Sequence, residues 1–563
     1  MRGQVKGESE LAPIAGAWVG LFALALFGLL ASDLLFGYEG EHAAQAWAYV
    51  HRELTVDNAG RLIPRARGGI VDVGQYVPFA LVTLLPLSEE VKCEFNRWWY
   101  VWVHPFWSAW TIVLIFTLAV YLFRSMQTAV VCALLAAVGT VLFPYSKIGM
   151  ETQQTLWSTA SWTLAIFCYR ERRLRDAAVL AFALALLILT KITGVLVCGA
   201  VLCVLLWWAW HDQGFRTWLV QKRAVWLIAV GVVAGLAVLL ITNRIRYGTF
   251  YGARYPWGDK PNALPCDPER VLALLFSPNK SIFLFSPVLV LTIFRWREFF
   301  RRFHWLVPVY VALALLTGFH LSMNTWVDER LWFSRLHFLI PFLVLPLGIW
   351  WERKAFLPKL YRWISVLIVA GAFAIELLSS AVNYTALTFV VHPSRELTIE
   401  NLVWNPQYNH LRFNAAALLS WWSKQRTGYS LPFVVLRRYL PAAPPPGVRT
   451  CVEVEVFPMK GWDEHDFFLA KELMRPRSAY GRSVARTAIG VCLMGLLLSG
   501  WRLARLAGWL GVPAFGDEDR RRSRLGQTQE ALADPWQVQP RRPSRKWPWR
   551  RKWMVLRIVR GKL

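Results

Sequence analysis

The chain has 563 residues, 56% hydrophobic and 15% aromatic with only 18% charged, and its apolar residues fall in long blocks rather than at a soluble protein's period. That excludes a soluble globular fold and reads as an all-α polytopic membrane protein. The net charge of +27 is uneven: from Arg520 onward the chain carries fourteen Lys/Arg against two acidic residues, so nearly half of the excess lies in one tail.

The first block, Leu11 to Phe36, is long enough to cross a hydrocarbon core of about 30 Å, and no small-residue cleavage site follows it. It is read as an uncleaved first span. Eleven more are predicted at 102–123, 128–145, 153–169, 177–190, 192–210, 224–242, 281–296, 304–322, 336–351, 363–383 and 484–505. Excess Lys and Arg in the short connections fall on alternate sides: Arg2 and Lys6, Arg124, Arg170 to Arg175, Arg216 to Arg223, Arg295 to Arg302, and Arg353 to Arg362 share one face. Both termini are therefore expected in the cytoplasm, with 37–101, 146–152, 243–280, 323–335 and 384–483 on the outer face.

In the first outer segment, "FGYEGEHAAQAWAYVHREL" puts Glu39 and Glu41 at the membrane edge, ahead of a helix-like stretch. A carboxylate there is partly desolvated, hence a better proton acceptor, and could activate a hydroxyl. The plainer reading is a solvated pair complementing the dipole of the helix that follows. The later run "GGIVDVGQYVPFALVTLLPL" is short for a span and suits an interfacial or re-entrant element. Glu151, in "PYSKIGMETQQTLW", opens the fourth span on the same face. Glu376, in "AFAIELLSS", lies at membrane depth, where an ionisable residue is either functional or protonated and bonded to Ser379 or Ser380.

Segment 243–280 breaks the charge rule. It carries Arg244, Arg246, Arg254, Lys260, Arg270 and Lys280 against Asp259, Asp267 and Glu269 on the outer face. A cationic outer loop suggests an anionic ligand, for which Arg offers a planar fork and Lys a point charge; the alternative is pairing within the loops or with lipid headgroups. "WVDERLWFSR" adds Arg330 and Arg335 beside Asp328 and Glu329.

The insert 384–483 differs in composition. "AAPPPGVRTCVEVEVFPM" joins a proline-rich turn to alternating Val and Glu, the period of a strand, so a small mixed α/β extracytoplasmic domain is expected there. "DEHD" at Asp463 to Asp466 reads as a solvated turn rather than a metal site, and "DED" at Asp517 to Asp519 as part of a charged tail. That tail, 506–563, interleaves Trp547, Trp549 and Trp553 with Arg and Lys, a pattern that suits either an anionic inner leaflet or a disordered tail obeying the positive-inside rule. Nucleic acid is not an expected partner. Five of the eight cysteines lie in spans, so at most one bridge joins two of Cys93, Cys266 and Cys451. Neither a P-loop, a GxGxxG turn nor a zinc spacing is present, and no cofactor is expected; no pattern indicates a divalent metal.

Taken in order, "GYEGEHAAQAWAYVHREL…GGIVDVGQYVPFALVTLLP", "YSKIGMETQQTL", "YGTFYGARYP…LALLFSPNKSIFLFSPVLVL", "WVDERLWFSRLHFLIPFLVLPLG" and "NLVWNPQYNHLRFNAAAL" resemble the landmarks of bacterial polyprenyl-phosphate-sugar-dependent glycosyltransferases of the GT-C type, the group of protein mannosyltransferases and lipid A aminoarabinose transferases. The resemblance covers residues 15 to 425 or so. It implies a GT-C catalytic module over 1–383, a multi-pass place in the bacterial inner membrane, and a base carboxylate in the first outer loop. Where the family has an Asp or an Asp-Glu pair, this chain has Glu39-Gly40-Glu41, so the base role passes to Glu39 with Glu41 as substitute. Glu151 matches the family's acidic residue at the fourth span, with Asp328 and Glu329 as further acceptor-side candidates. Arg244, Arg246, Arg254, Lys280 and Arg335 are the expected donor-phosphate ligands, although "WFSRLHFLIP" keeps Arg335 without the usual Gly-Pro. The implied activity is inverting transfer of a sugar from a polyprenyl phosphate to a hydroxyl of a glycan, lipid or protein acceptor. The rival readings are a lipid-linked substrate transporter or flippase, and a silent scaffold.

Overall fold

The computed structural model describes residues 2–31, 54–56, 62–64, 85–86, 88–147, 149–190, 193–247, 250, 268–322, 334–382, 387, 403–439, 451–457, 466–475 and 480–509. Residues 1–507 form one compact unit; the second unit, 508–563, lies almost wholly outside the described residues. The main helices of the first unit are α1 (Arg2–Leu29), α2 (Glu89–Phe123), α3 (Met126–Gly139), α4 (Gly149–Glu171), α5 (Leu174–Thr190), α6 (Thr193–His211), α7 (Gln213–Gln221), α8 (Ala224–Tyr247), α9 (Pro268–Phe276), α10 (Val307–Ser322), α11 (Lys359–Ala381), α12 (His410–Thr427), α13 (Phe468–Met474) and α14 (Gly481–Leu506). The chain is an all-α polytopic membrane protein.

Among the described residues seven helical stretches are long and apolar enough to span a membrane: Leu11–Leu29, Val101–Phe123, Thr193–His211, Ala224–Arg244, His304–Ser322, Lys359–Ala381 and Gly481–Leu506. Large side chains such as Trp210, Trp226, Leu315 and Leu497 stand exposed on their outer surfaces, as lipid-facing residues do. The other five expected spans are helical but differ from the rest, for local reasons. The third ends early because Thr140 is extended and turns its hydroxyl back onto the Ala136 carbonyl. The fourth, α4, has 23 residues but is too polar to be read as lipid-facing. The fifth, α5, has 17 residues and so is ~26 Å long. The eighth and tenth are broken into 3-10 and α pieces at Pro287, and at Pro341 and Pro346, where a ring replaces the backbone donor. Irregular backbone of this kind needs shelter from lipid, and the side chains of Val288, Leu289, Ile340, Phe342 and Leu345 are buried in protein.

Close helix approach is set by small residues. On α8, Gly231 and Gly235 face α5, and a Cβ at Gly231 would lie 2.3 Å from the Ala181 carbonyl oxygen. "GVVAG" is thus the small-xxx-small spacing that lets two helices meet backbone to backbone.

The connections that carry Arg172, Asp212, Arg302 and Arg353 lie together at one end of the bundle. Arg172 pairs with Asp212 at 2.8 Å, Arg302 with Glu352 at 2.5 Å and Arg353 with Glu298 at 2.7 Å. The Trp208 indole donates to the Trp305 carbonyl, and Arg170 lies over the Trp305 ring.

At the opposite end the described parts of 384–483 cap the span termini. Strands β3 (Phe433–Tyr439) and β4 (Cys451–Phe457) pair antiparallel, with Phe433 opposite Phe457 and Arg437 opposite Glu453, as the Val/Glu alternation suggested. Asn409 caps α12, its Oδ1 accepting from the Leu411 and Arg412 amides, and Gly428 ends that helix at φ 80°. Phe413, Phe433 and Val435 pack with Ala381 and Val382 at the end of α11. Phe468 and Leu469 of α13 pack against Ala31, Val101 and Ala485. These surfaces are buried against the ends of spans, so the insert and the bundle share their apolar contacts. A second short ladder pairs β1 (Leu54–Val56) with β2 (Leu62–Pro64), between α1 and α2.

Candidate functional site

Helix α4 carries the polar residues that a lipid-facing span would exclude. Glu151, Thr152, Gln153, Gln154, Thr155, Ser158 and Thr159 are all buried, Glu151 at 2% exposure. Polar side chains at this depth require partners inside protein. Gln154 donates to the Thr193 hydroxyl at 2.9 Å, tying α4 to α6. The Thr155 hydroxyl lies 2.8 Å from Nδ1 of His337, on the 3-10 segment Ser334–Leu339. That ring is flanked by Tyr145, centroids 4.7 Å apart, and feels the Glu151 carboxylate electrostatically. Glu151, Thr155 and Ser158 follow at helical spacing, so one stripe of α4 faces the turn that carries Arg335.

A second set of polar bonds surrounds the loop after α9. The Ser277 hydroxyl accepts from the Lys280 amide at 2.8 Å, and Lys280 itself is fully buried. Asn279 donates to the Asn405 carbonyl, and Asn409 to the Pro278 carbonyl. Ser286 accepts from the Val141 amide at 3.0 Å, which joins this loop to the turn before α4. Thus one asparagine, Asn409, both caps α12 and fixes the Lys280 loop.

Lys147 closes the arrangement. Its ammonium lies 2.6 Å from Asp466 and 2.8 Å from the Ser380 carbonyl, and the two side chains of the ion pair are each 2% exposed. The Asp466 amide donates to Ala381 and the Phe468 amide to Ala31. Four segments far apart in sequence therefore converge: the end of α1, the turn before α4, the end of α11 and the approach to α13. Asp466 corrects the expectation of a solvated "DEHD" turn, because it is a buried counterion; Asp463, Glu464 and His465 lie outside the described residues.

Glu151 and Lys280 are buried in this polar end. Arg244 stands in the last turn of α8, exposed and 5.8 Å from the Phe250 ring centroid. The backbones of Arg246 and Arg335 are helical, α for the first and 3-10 for the second, and their side chains lie outside the described ones. Glu39, Glu41, Arg254, Asp328 and Glu329 lie outside the described residues, as do Cys266 and the "DED" of the tail. Glu376 is fully buried on α11. Neither of its carboxylate oxygens has a hydrogen-bond partner among the described residues, and the Ser380 hydroxyl donates to the Glu376 backbone carbonyl. The alternative reading of a carboxyl bonded to Ser379 or Ser380 is therefore not met among the described residues. Cys132, Cys168, Cys198, Cys203 and Cys492 are free thiols. Among the described residues no group of three or more His, Cys, Asp and Glu is placed to hold a metal ion.

Sequence reasoning missed Lys147, His337, Asn405 and Asn409. Lys147, His337 and both asparagines all stood in quoted motifs, but nothing local distinguished a buried side chain from a loop one.

No family model matches the chain, and no curated protein matches its sequence. Among solved structures, the chain is similar to the crystal structure of ArnT from Cupriavidus metallidurans bound to undecaprenyl phosphate. The match covers 90% of this chain and 77% of that one, at 12% identity and a TM-score of 0.42, below the level at which a likeness bears on function.

Proposed function

We propose that the protein is a membrane glycosyltransferase that moves a sugar from a polyprenyl-phosphate donor to an acceptor hydroxyl at the polar end of the bundle. The observation that supports this reading best is the buried polar stripe of α4, with Glu151 and Thr155 set against His337 two residues beyond Arg335. Such a stripe suits a substrate with many hydroxyls at the edge of a bilayer, where each unpaired polar group is costly.

In this mechanism Glu39 or Glu41 accepts the proton of the acceptor hydroxyl as its oxygen attacks the anomeric carbon. The bond from that carbon to the phosphate oxygen breaks on the opposite face, so configuration inverts, and the electron pair leaves with the phosphate. Arg244, Arg246, Arg254, Lys280 and Arg335 are the cations proposed to stabilise that phosphate. A phosphate leaves well enough to need no separate acid. Glu151 orients the acceptor, and the Thr155 to His337 bond fixes the turn bearing Arg335.

The test is sugar transfer from a radiolabelled polyprenyl-phosphate-sugar panel by purified protein, with membrane extract as acceptor. Glu39→Gln or Glu41→Gln, whichever replaces the base, is expected to lower turnover about a hundredfold or more. No transfer with any donor, or full transfer by the double variant, would overturn the proposal.

A further inference from the structure

The cationic end holds a pocket that the proposed reaction does not use. It has a volume of about 420 Å³ and lies where α2, α4 and α5 end or begin. Three arginines, Arg124, Arg173 and Arg175, line it together with the apolar Leu164, Phe167 and Val179. Two carboxylates, Glu171 and Asp176, also line it. Glu171 is held by the Tyr121 hydroxyl at 2.8 Å and by Arg173 at 3.3 Å, and Asp176 lies 3.4 Å from Arg175. Arg124 has no carboxylate within salt-bridge distance among the described residues; its guanidinium lies 5.0 Å from the Tyr121 ring centroid. The pocket therefore carries an excess of one positive charge, and that charge is available to a ligand.

The surroundings say what kind of ligand fits. Arg175, Val179 and Phe182 follow one another down one face of α5, and all three are exposed, Phe182 at 61%. A cation at the helix end thus continues into an apolar strip that faces the hydrocarbon region. A soluble anion would use the cations and leave the strip unused. We infer that the pocket binds the headgroup of an anionic phospholipid, its phosphodiester between Arg124, Arg173 and Arg175 and its acyl chain along Val179 and Phe182. The geometry matches the charge rule as well, since the end rich in Lys and Arg faces the anionic leaflet. Basic pockets between spans on that side are suited to such headgroups.

The experiment reads retained lipid by native mass spectrometry on full-length protein reconstituted with phosphatidylcholine and phosphatidylglycerol. The wild type is expected to keep phosphatidylglycerol in preference, and Arg124→Gln and Arg175→Gln each to lose about fivefold of that preference. Arg216→Gln, at the same end and outside the pocket, should change nothing. A photoreactive phosphatidylglycerol should label residues 164–182 of the wild type, which keeps the test independent of variant folding. Equal retention by the pocket variants, or labelling spread over the spans, would overturn the proposal. So would displacement of phosphatidylglycerol by millimolar inorganic phosphate, which would mark a soluble-anion site instead.

Discussion

The two ends of the bundle hold ion pairs of nearly equal length in opposite surroundings. At the cationic end Arg172 and Asp212 lie 2.8 Å apart with side chains 40% and 32% exposed; at the polar end Lys147 and Asp466 lie 2.6 Å apart at 2% each. Water screens the first pair and lets either partner go cheaply. The second has no water to fall back on, so losing Lys147 leaves the buried Asp466 carboxylate with the longer contact to Lys471, at 3.8 Å, in place of a 2.6 Å one. Distance alone therefore says little about what an ion pair does; the medium around it decides.

That contrast can be broken by substitution, and the largest effect should come first at Lys147. Lys147→Met is expected to lower stability by about 3–5 kcal/mol, read by thermal unfolding in detergent. Lys147→Met with Asp466→Leu should recover most of the loss, because two apolar side chains remove the buried, under-compensated carboxylate and Lys471, partly exposed, can turn to water. A double variant as unstable as the single would mean that the Ser380 carbonyl, not the ion pair, is the contact that matters.

Next in size, Thr155→Val leaves the His337 ring nitrogen without its hydroxyl and should cost about 1–3 kcal/mol. The same variant should reduce sugar transfer more than it shifts unfolding, if the turn bearing Arg335 depends on that bond. Asn409→Ala removes the α12 cap and should cost about 1 kcal/mol, with a further loss because the Pro278 carbonyl also loses its donor. At the cationic end Arg172→Gln should change stability by less than about 1 kcal/mol, and less again in high salt. A loss as large as that at Lys147 would erase the distinction between the two ends.

The smallest effect is a slope with pH. Burial pushes the Glu352 carboxyl above its ordinary range, although Arg302 beside it acts in the other direction. The folded state then holds this proton more tightly than the unfolded chain. Its contribution is fully present below the unfolded pKa and is lost as pH rises through the higher folded value. Glu352→Gln should flatten stability against pH on the acid side of neutrality, which unfolding at a series of pH values would show.

Much of the architecture could be read from local pattern. The described residues of each expected span are largely helical, seven of them long enough to cross, because a block of apolar residues is a local property and backbone groups in lipid must bond within their own helix. The strand Cys451–Phe457 followed from Val and Glu alternating. The grouping of Arg172, Arg302 and Arg353 at one end followed from the positions of Lys and Arg along the chain. The small-residue spacing of "GVVAG" was not singled out in the sequence, and only the Cβ position at Gly231 identifies α5 as the helix it meets.

Other features had no local signature. Pro287, Pro341 and Pro346 are visible in the sequence, but whether they kink a span or divide it depends on the protein that shelters the freed carbonyls. Asp466 looked like one acid in a solvated run, since no rule of spacing connects it with Lys147, 319 residues earlier. His337 looked like an ordinary residue of an apolar segment until Thr155 stood beside it.

The sequence by itself determined that this chain is a polytopic membrane protein, where most of its spans lie, and which connections share an end, because hydropathy and charge act on each segment separately. Only the tertiary structure decided which polar residues are buried and with whom. That choice depends on the dielectric around each group and on the packing of segments hundreds of residues apart, and neither is a property of a residue's neighbours along the chain.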